Sequence, residues 1–62
     1  MVTCHFYLKG RIKTITAKDT KVCWNTFKKD FGEAISELVK VKIVDSHANE
    51  HHYSPKEFIK FN

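Results

Sequence analysis

The stretch from Asp19 to Gly32 constrains the fold most, because it has the pattern of an amphipathic helix. Its apolar residues recur every three or four positions, the spacing that places side chains on one face of a helix. The apolar face consists of Cys23, Trp24, Phe27 and Phe31, and the opposite face of Lys21, Asn25, Lys28 and Lys29. A short helix with three aromatic rings must bury them, and in a chain of 62 residues a small sheet is the expected partner.

Both ends of this helix carry residues that suit a helix end. The carboxylate of Asp19 can accept hydrogen bonds from the free N–H groups of the first turn. Gly32 can adopt the left-handed conformation that often ends a helix. The sequence therefore predicts a helix that begins after Asp19 and ends at Gly32.

A β-hairpin is predicted ahead of the helix. Apolar and amphipathic residues alternate from Val2 to Leu8, which is typical of a strand with one face in the core. Gly10-Arg11 is predicted as a two-residue turn, since glycine supplies the positive φ that a tight hairpin needs. Ile12 to Ala17 is then the returning strand.

This turn fixes the predicted register of the hairpin. The core face then pairs Phe6 with Ile15 and Cys4 with Ala17, and the outer face pairs Tyr7 with Thr14 and His5 with Thr16. A slip of one residue would turn the apolar row of one strand away from that of the other, which favours the predicted register.

A third strand is predicted after the helix. Glu33 to Leu38 has helical spacing, and a further short turn of helix there is left open. Val39 to Asp45 alternates like a strand, and Ser46 to His52 is predicted as a polar loop. The side chains expected in the core from this strand are Val39, Val41 and Ile43.

The C-terminal segment fits two structures. Ser54, Pro55 and Glu57 match a helix start, with a serine cap, a proline in the first turn and a glutamate that bonds back to the cap. Alternatively, Phe58 to Phe61 forms an edge strand; the helix is favoured because its capping pattern has a mechanism. The prediction is a single α+β domain over residues 1–62, a small two-layer fold of an antiparallel β-hairpin, one amphipathic helix, a third strand and a short C-terminal helix or strand.

Composition excludes several classes of protein and leaves others open. Eleven Lys and Arg against seven Asp and Glu give a net charge of +4, but the basic residues are spread along the chain rather than clustered as in a nucleic-acid-binding arm. No apolar run reaches the length of a membrane span, and no secretory leader is recognisable, so a reducing cytoplasm is the expected setting. Cys4 and Cys23 fit either one disulfide or two buried thiols, and the thiols are favoured.

No arrangement of residues predicts catalysis. The glycine-rich loop that binds phosphates is missing, the carboxylates are scattered, and both cysteines fall at apolar positions. His47, His51 and His52 share a loop with Asp45 and Glu50, but they lack the ligand spacing of a metal site. We therefore expect no enzyme activity, no cofactor and no metal.

The outer face of the sheet is the main candidate binding surface. Its predicted members are His5, Tyr7, Lys9, Thr14, Lys40 and Lys42, together with Ile12 and Thr16. A tyrosine among lysines suits single-stranded nucleic acid, but the same composition suits a protein interface and also an ordinary solvated face. A second patch, Phe58, Ile59 and Phe61, either caps the core or seals a homodimer, and the small core favours the homodimer.

Two segments, YLKGRIKT and the FKK of the helix, give the chain a resemblance to very short open reading frames of phages and mobile elements. This likeness covers about two thirds of the chain. It implies a small protein that binds and modulates a host or phage macromolecule, for example as an inhibitor of a host protein. The predicted function is thus a non-enzymatic protein-binding module, with nucleic-acid binding by the outer face of the sheet as the alternative.

Overall fold

A computed structural model describes residues 1–61 as a sheet of four antiparallel strands with two α-helices on one face. The strand order is β2-β1-β3-β4. The elements are β1 (Val2–Leu8), β2 (Arg11–Ala17), α1 (Thr20–Phe31), a 3₁₀ helix (Gly32–Glu37), β3 (Leu38–Val44), β4 (Glu50–Tyr53) and α2 (Pro55–Phe61). The predicted two-layer α+β fold is confirmed, and the sheet has one strand more than expected.

The core lies between the inner face of the sheet and the two helices. Its centre is an aromatic cluster in which the Phe6 ring of β1 stacks on Phe27 at 4.2 Å between centroids. The Trp24 ring lies edge-on to Phe58 at 5.3 Å, so α2 closes the cluster from the other side. The buried residues of the core are Cys4, Phe6, Leu8, Cys23, Trp24, Phe27, Ala34, Val41, Ile43 and Phe58.

Helix α1 begins as predicted and ends differently. The side chain of Asp19 accepts a hydrogen bond from the Val22 N–H at 2.9 Å. Gly32 is not left-handed: its φ of −54° and ψ of −34° are helical, and the chain continues from it into the 3₁₀ helix. The break between the two helices falls instead at Phe31, whose φ is −132° and ψ 32°.

The hairpin turn is formed by Lys9 and Gly10, one residue earlier than predicted, with Gly10 at a φ of +78°. The register therefore moves by two residues, and the predicted pairs are wrong. The observed pairs are Thr3 with Thr16, Cys4 with Ile15, His5 with Thr14, Phe6 with Lys13 and Tyr7 with Ile12. A shift of two preserves the alternation of a strand, so every side chain keeps its predicted face.

Strand β3 contains a bulge that removes Val39 from the core. Tyr7 pairs with Lys40, whereas the next residue of β1, Leu8, pairs with Leu38, which leaves Val39 without a partner position. The side chain of Val39 is 55% exposed, contrary to the prediction that it faces inward. Val41 and Ile43 are buried as predicted.

The predicted loop from Ser46 to His52 is shorter than expected, because Glu50–Tyr53 forms the edge strand β4. The carboxylate of Asp45 closes the connection by accepting from the N–H groups of His47 at 2.8 Å and Asn49 at 3.0 Å. The chain therefore reverses within a few residues and pairs with β3. The polar residues of this segment indicate a turn, but they lack the apolar alternation that would indicate the short strand after it.

The C-terminal segment is the predicted helix. The Ser54 hydroxyl accepts from the Glu57 N–H at 3.2 Å, and the Glu57 carboxylate lies 3.4 Å from the Ser54 N–H, a reciprocal pair that caps α2. None of the helices in residues 1–61 has the length and apolar character needed to cross a bilayer.

Candidate functional site

The outer face of the sheet, which carries no helix, brings most of the predicted binding residues together in cross-strand rows. The first row contains Ile12, Tyr7 and Lys40; the second Thr14, His5, Lys42 and His52; the third Thr16, Thr3, Val44 and Glu50. Of the six predicted site residues, Lys9 alone lies outside these rows, in the hairpin turn, where its N–H donates to the Glu37 carbonyl at 3.2 Å.

Cross-strand side-chain pairs order this face. The Thr3 and Thr16 hydroxyls lie 3.0 Å apart, and the His5 Nδ1 lies 3.0 Å from the Thr14 hydroxyl. Both pairs link β1 to β2, and such pairs contribute to the stability of a sheet. The middle of the face is therefore a polar surface whose side chains are already oriented.

The two strand lysines of this face are both engaged by neighbours. The Lys40 ammonium lies 4.6 Å from the centre of the Tyr7 ring, a cation–π contact that covers one face of the ring. The Lys42 ammonium lies 3.9 Å from the Glu50 carboxylate, and its side chain is only 23% exposed. Each ammonium group is therefore already in contact with a neighbouring side chain.

Exposed apolar groups lie at one end of this face. Ile12, the neighbour of Tyr7 across the strands, is 55% exposed, and so is Val39 in the bulge beside Lys40. The prediction did not include Val39 because the alternating pattern assigned it to the core. The prediction also omitted Glu50 and His52, because the polar residues around them do not distinguish a short strand from a loop.

The second predicted patch is divided by the structure. Phe58 is 1% exposed and belongs to the aromatic core, so of its two predicted roles it caps the core and is not part of an exposed dimer patch. Ile59 and Phe61 remain exposed, Phe61 at 74%. A groove of about 430 Å³ adjoins Phe61 and is lined by Thr20, Ile43, Tyr53, Phe58 and Phe61.

The histidine-rich segment is split by the geometry of β4. His51 Nε2 lies 3.2 Å from the Asp45 carboxylate, and His52 Nε2 lies 3.5 Å from that of Glu50. Consecutive residues of a strand point to opposite faces, so these two imidazoles diverge. Within residues 1–61 there is no cluster of three or more His, Cys, Asp or Glu side chains that could hold a metal ion.

Both cysteines are free, fully buried thiols on facing elements of the core. The Cys23 thiol lies 3.5 Å from the carbonyl oxygen of Ile15, the residue that pairs with Cys4. Burial, together with the neighbouring Cys23 thiol, raises the pKa of Cys4 far above its ordinary value. A thiol in this environment stays protonated, and the thiolate needed for nucleophilic chemistry is suppressed.

No protein-family model, curated protein or solved structure shows significant similarity to this chain.

Proposed function

We propose that this protein is a non-enzymatic binding module that recognises another protein through the outer face of its sheet. The observation that carries the proposal is the exposure of two apolar residues near Tyr7, Ile12 beside it on β2 and Val39 next to its partner Lys40 on β3. Apolar and aromatic groups surrounded by polar side chains are the composition of a protein interface. The resemblance to short phage and mobile-element reading frames supports a modulator or inhibitor of a host protein acting in the cytoplasm.

The surface supports nucleic-acid binding less well. A stacking platform needs an open aromatic face and mobile cations near the backbone path. Here Lys40 covers one face of the Tyr7 ring, and Lys42 is paired with Glu50. The net charge of +4 is the remaining argument for this alternative.

Site-specific photo-crosslinking in the native host tests the proposal. A benzophenone amino acid is placed at Thr14, which is exposed on the outer face, and in a control variant at Asn25, which is exposed on α1. We expect an adduct from position 14 that protease removes and nuclease does not. A nuclease-sensitive adduct favours the alternative, and equal labelling from both positions contradicts the outer face as the binding site.

Salt dependence gives a second, simpler test. Phosphate contacts release counterions, so nucleic-acid affinity falls steeply between about 50 mM and 200 mM salt. We expect labelled single-stranded DNA and RNA to show no micromolar binding in fluorescence anisotropy even at the lower concentration. Micromolar binding that is lost in a Tyr7→Ala, Lys40→Gln, Lys42→Gln variant would establish nucleic acid as the target.

For a homodimer, the surface that we propose is centred on the exposed Phe61 ring beside the groove, with the exposed Ile59 on the same helix. Burying exposed aromatic area supplements a small core. Light scattering at micromolar concentration should give a dimeric mass for the wild type and a monomeric mass for Phe61→Ser. A monomeric wild type refutes this assembly.

A further inference from the structure

Strand β2 forms one edge of the sheet and is seven residues long, whereas the opposite edge strand, β4, has four. Leu8 and Arg11 flank a two-residue turn, and such a flanking pair exchanges main-chain hydrogen bonds. Because bonded and non-bonded pairs alternate along an antiparallel ladder, Lys13 and Ile15 also bond to β1. The N–H and C=O groups of Ile12, Thr14 and Thr16 consequently point away from the sheet.

The charges beside this edge restrict which strand can pair with it. Phe6 is the neighbour of Lys13 on the inner face, and the Lys13 ammonium lies 4.9 Å from the centre of the Phe31 ring. An uncharged strand added at this edge would bury the inward-facing lysine without a counterion. Such a lysine therefore opposes pairing with uncharged strands. Arg11, on the same side, is half exposed and 3.6 Å from Glu37.

We propose that β2 accepts an extended segment of the partner protein as a fifth strand, and that this segment carries acidic residues at alternate positions facing Lys13 and Arg11. The main-chain groups of Ile12, Thr14 and Thr16 supply the hydrogen bonds. One carboxylate supplies a counterion for Lys13, and the other joins Glu37 beside Arg11. The inference rests on the proposed function, because the fifth strand would extend the outer face next to Ile12.

A second copy of the chain fits this edge poorly. The sequence of β2, RIKTITA, contains two basic residues and no acidic one. Pairing β2 with another β2 would add the Arg11 and Lys13 of the second copy to the same edge without any carboxylate from either strand. An acidic partner segment is the occupant that the charges favour.

The test uses a fluorescein-labelled synthetic peptide in which Glu alternates with Thr and Val, and a matched peptide with Lys in place of Glu. We expect the acidic peptide to bind in anisotropy titrations and the basic peptide not to bind. Hydrogen exchange followed by NMR should show new protection of the Ile12, Thr14 and Thr16 amides. Equal binding of both peptides, no binding of the acidic one, or protection elsewhere overturns the proposal.

Two proline variants separate edge pairing from loss of fold. Thr14→Pro removes an N–H that faces solvent, which edge strands tolerate, and should weaken the acidic peptide by about tenfold or more. Thr20→Pro places a proline at the first position of α1, where the N–H has no partner within the helix, and should leave peptide binding unchanged. Circular dichroism and thermal unfolding verify that both variants are folded. If Thr14→Pro fails to fold, a backbone N-methyl group at Thr14, introduced by chemical synthesis, replaces it.

Failure of this inference is distinguishable from failure of the proposed function. Ile12→Pro removes another N–H of the β2 edge. If position 14 still forms a protein adduct in the same yield in this variant, the protein is a binding module but does not add a strand at β2. A wild-type dimer that becomes monomeric in Thr14→Pro identifies a second copy as the occupant and also overturns the proposal.

Discussion

The ring of Phe6, in the middle of β1, stacks on the ring of Phe27 in α1 at 4.2 Å with an interplanar angle of 29°. This contact joins the two layers of the fold at their most buried point, since both side chains are fully inaccessible. Phe58 reaches the same cluster from α2, edge-on to Phe6 at 5.8 Å. The two helices are thus held against the sheet through one shared group of rings.

Replacing Phe27 by Ala should lower the free energy of unfolding by about 3–5 kcal/mol, because it removes a fully buried ring and leaves a cavity. Urea denaturation followed by Trp24 fluorescence measures the loss. Val22→Ala is the control on the same helix, since that side chain is 42% exposed and its truncation should change stability little. A Phe27→Ala variant as stable as the control would contradict the central place of this ring.

The buried thiols should resist alkylation while the protein is folded. Iodoacetamide at pH 8 should leave Cys4 and Cys23 unmodified until denaturant is added, because burial raises the pKa of Cys4 and blocks access. A Ser46→Cys variant provides an exposed reference thiol. Rapid labelling of the wild type would show that the core opens readily.

The raised pKa of Cys4 also predicts a stability loss at alkaline pH. The folded state keeps the thiol neutral, whereas the unfolded chain ionises above its ordinary pKa of about 8.5. Stability should therefore decline as the pH rises past that value, and the decline should be smaller in Cys4→Ala. Denaturation curves between neutral and alkaline pH measure the difference; identical pH dependence in the two proteins would contradict this.

Asp45 should make stability sensitive to acid. The N–H of Asn49, then that of His47, and the His51 ring hold the pKa of Asp45 at about 2, below its ordinary value. The stabilisation is complete above the unfolded pKa of about 3.9 and is lost as the pH falls through about 2. Denaturation curves of the wild type and Asp45→Asn over this pH range measure the difference in their free energies of unfolding. The wild type should be the more stable protein above the unfolded pKa, and this difference should disappear at the lowest pH. A constant difference would contradict the assignment.

Protein purified without an affinity tag should contain no stoichiometric zinc, because His51 and His52 point to opposite faces of β4. Elemental analysis by mass spectrometry is the measurement. A one-to-one zinc content that disappears when His47, His51 and His52 are replaced by Ala would refute this prediction.

Local patterns predicted the helices well and the strand pairing less well. Asp19 and the Ser54–Glu57 pair were identified because a capping residue acts on N–H groups only a few positions away. The faces of β1 and β2 were also predicted, since alternation has a period of two. That same period makes registers two residues apart equivalent in pattern, and the turn at Lys9-Gly10 decided between them.

The candidate site shows the same division. Placing Tyr7, Lys40 and Lys42 on one face needed only the alternation within each strand. The bulge that exposes Val39, the β4 strand that adds Glu50 and His52, and the burial of Phe58 required the assembled sheet. Each depends on contacts between residues far apart in the chain, whose energies no local pattern contains.

By itself, therefore, the sequence determined the amphipathic helix, its N-terminal cap, the two faces of the hairpin and the two-layer α+β class. The tertiary structure alone decided the register, the fourth strand, the bulge and the position of Lys40 over Tyr7. The physical reason is the range of the interactions. Helix caps and periodicity act within a few residues, whereas strand pairing and core packing are selected by the free energy of the whole fold.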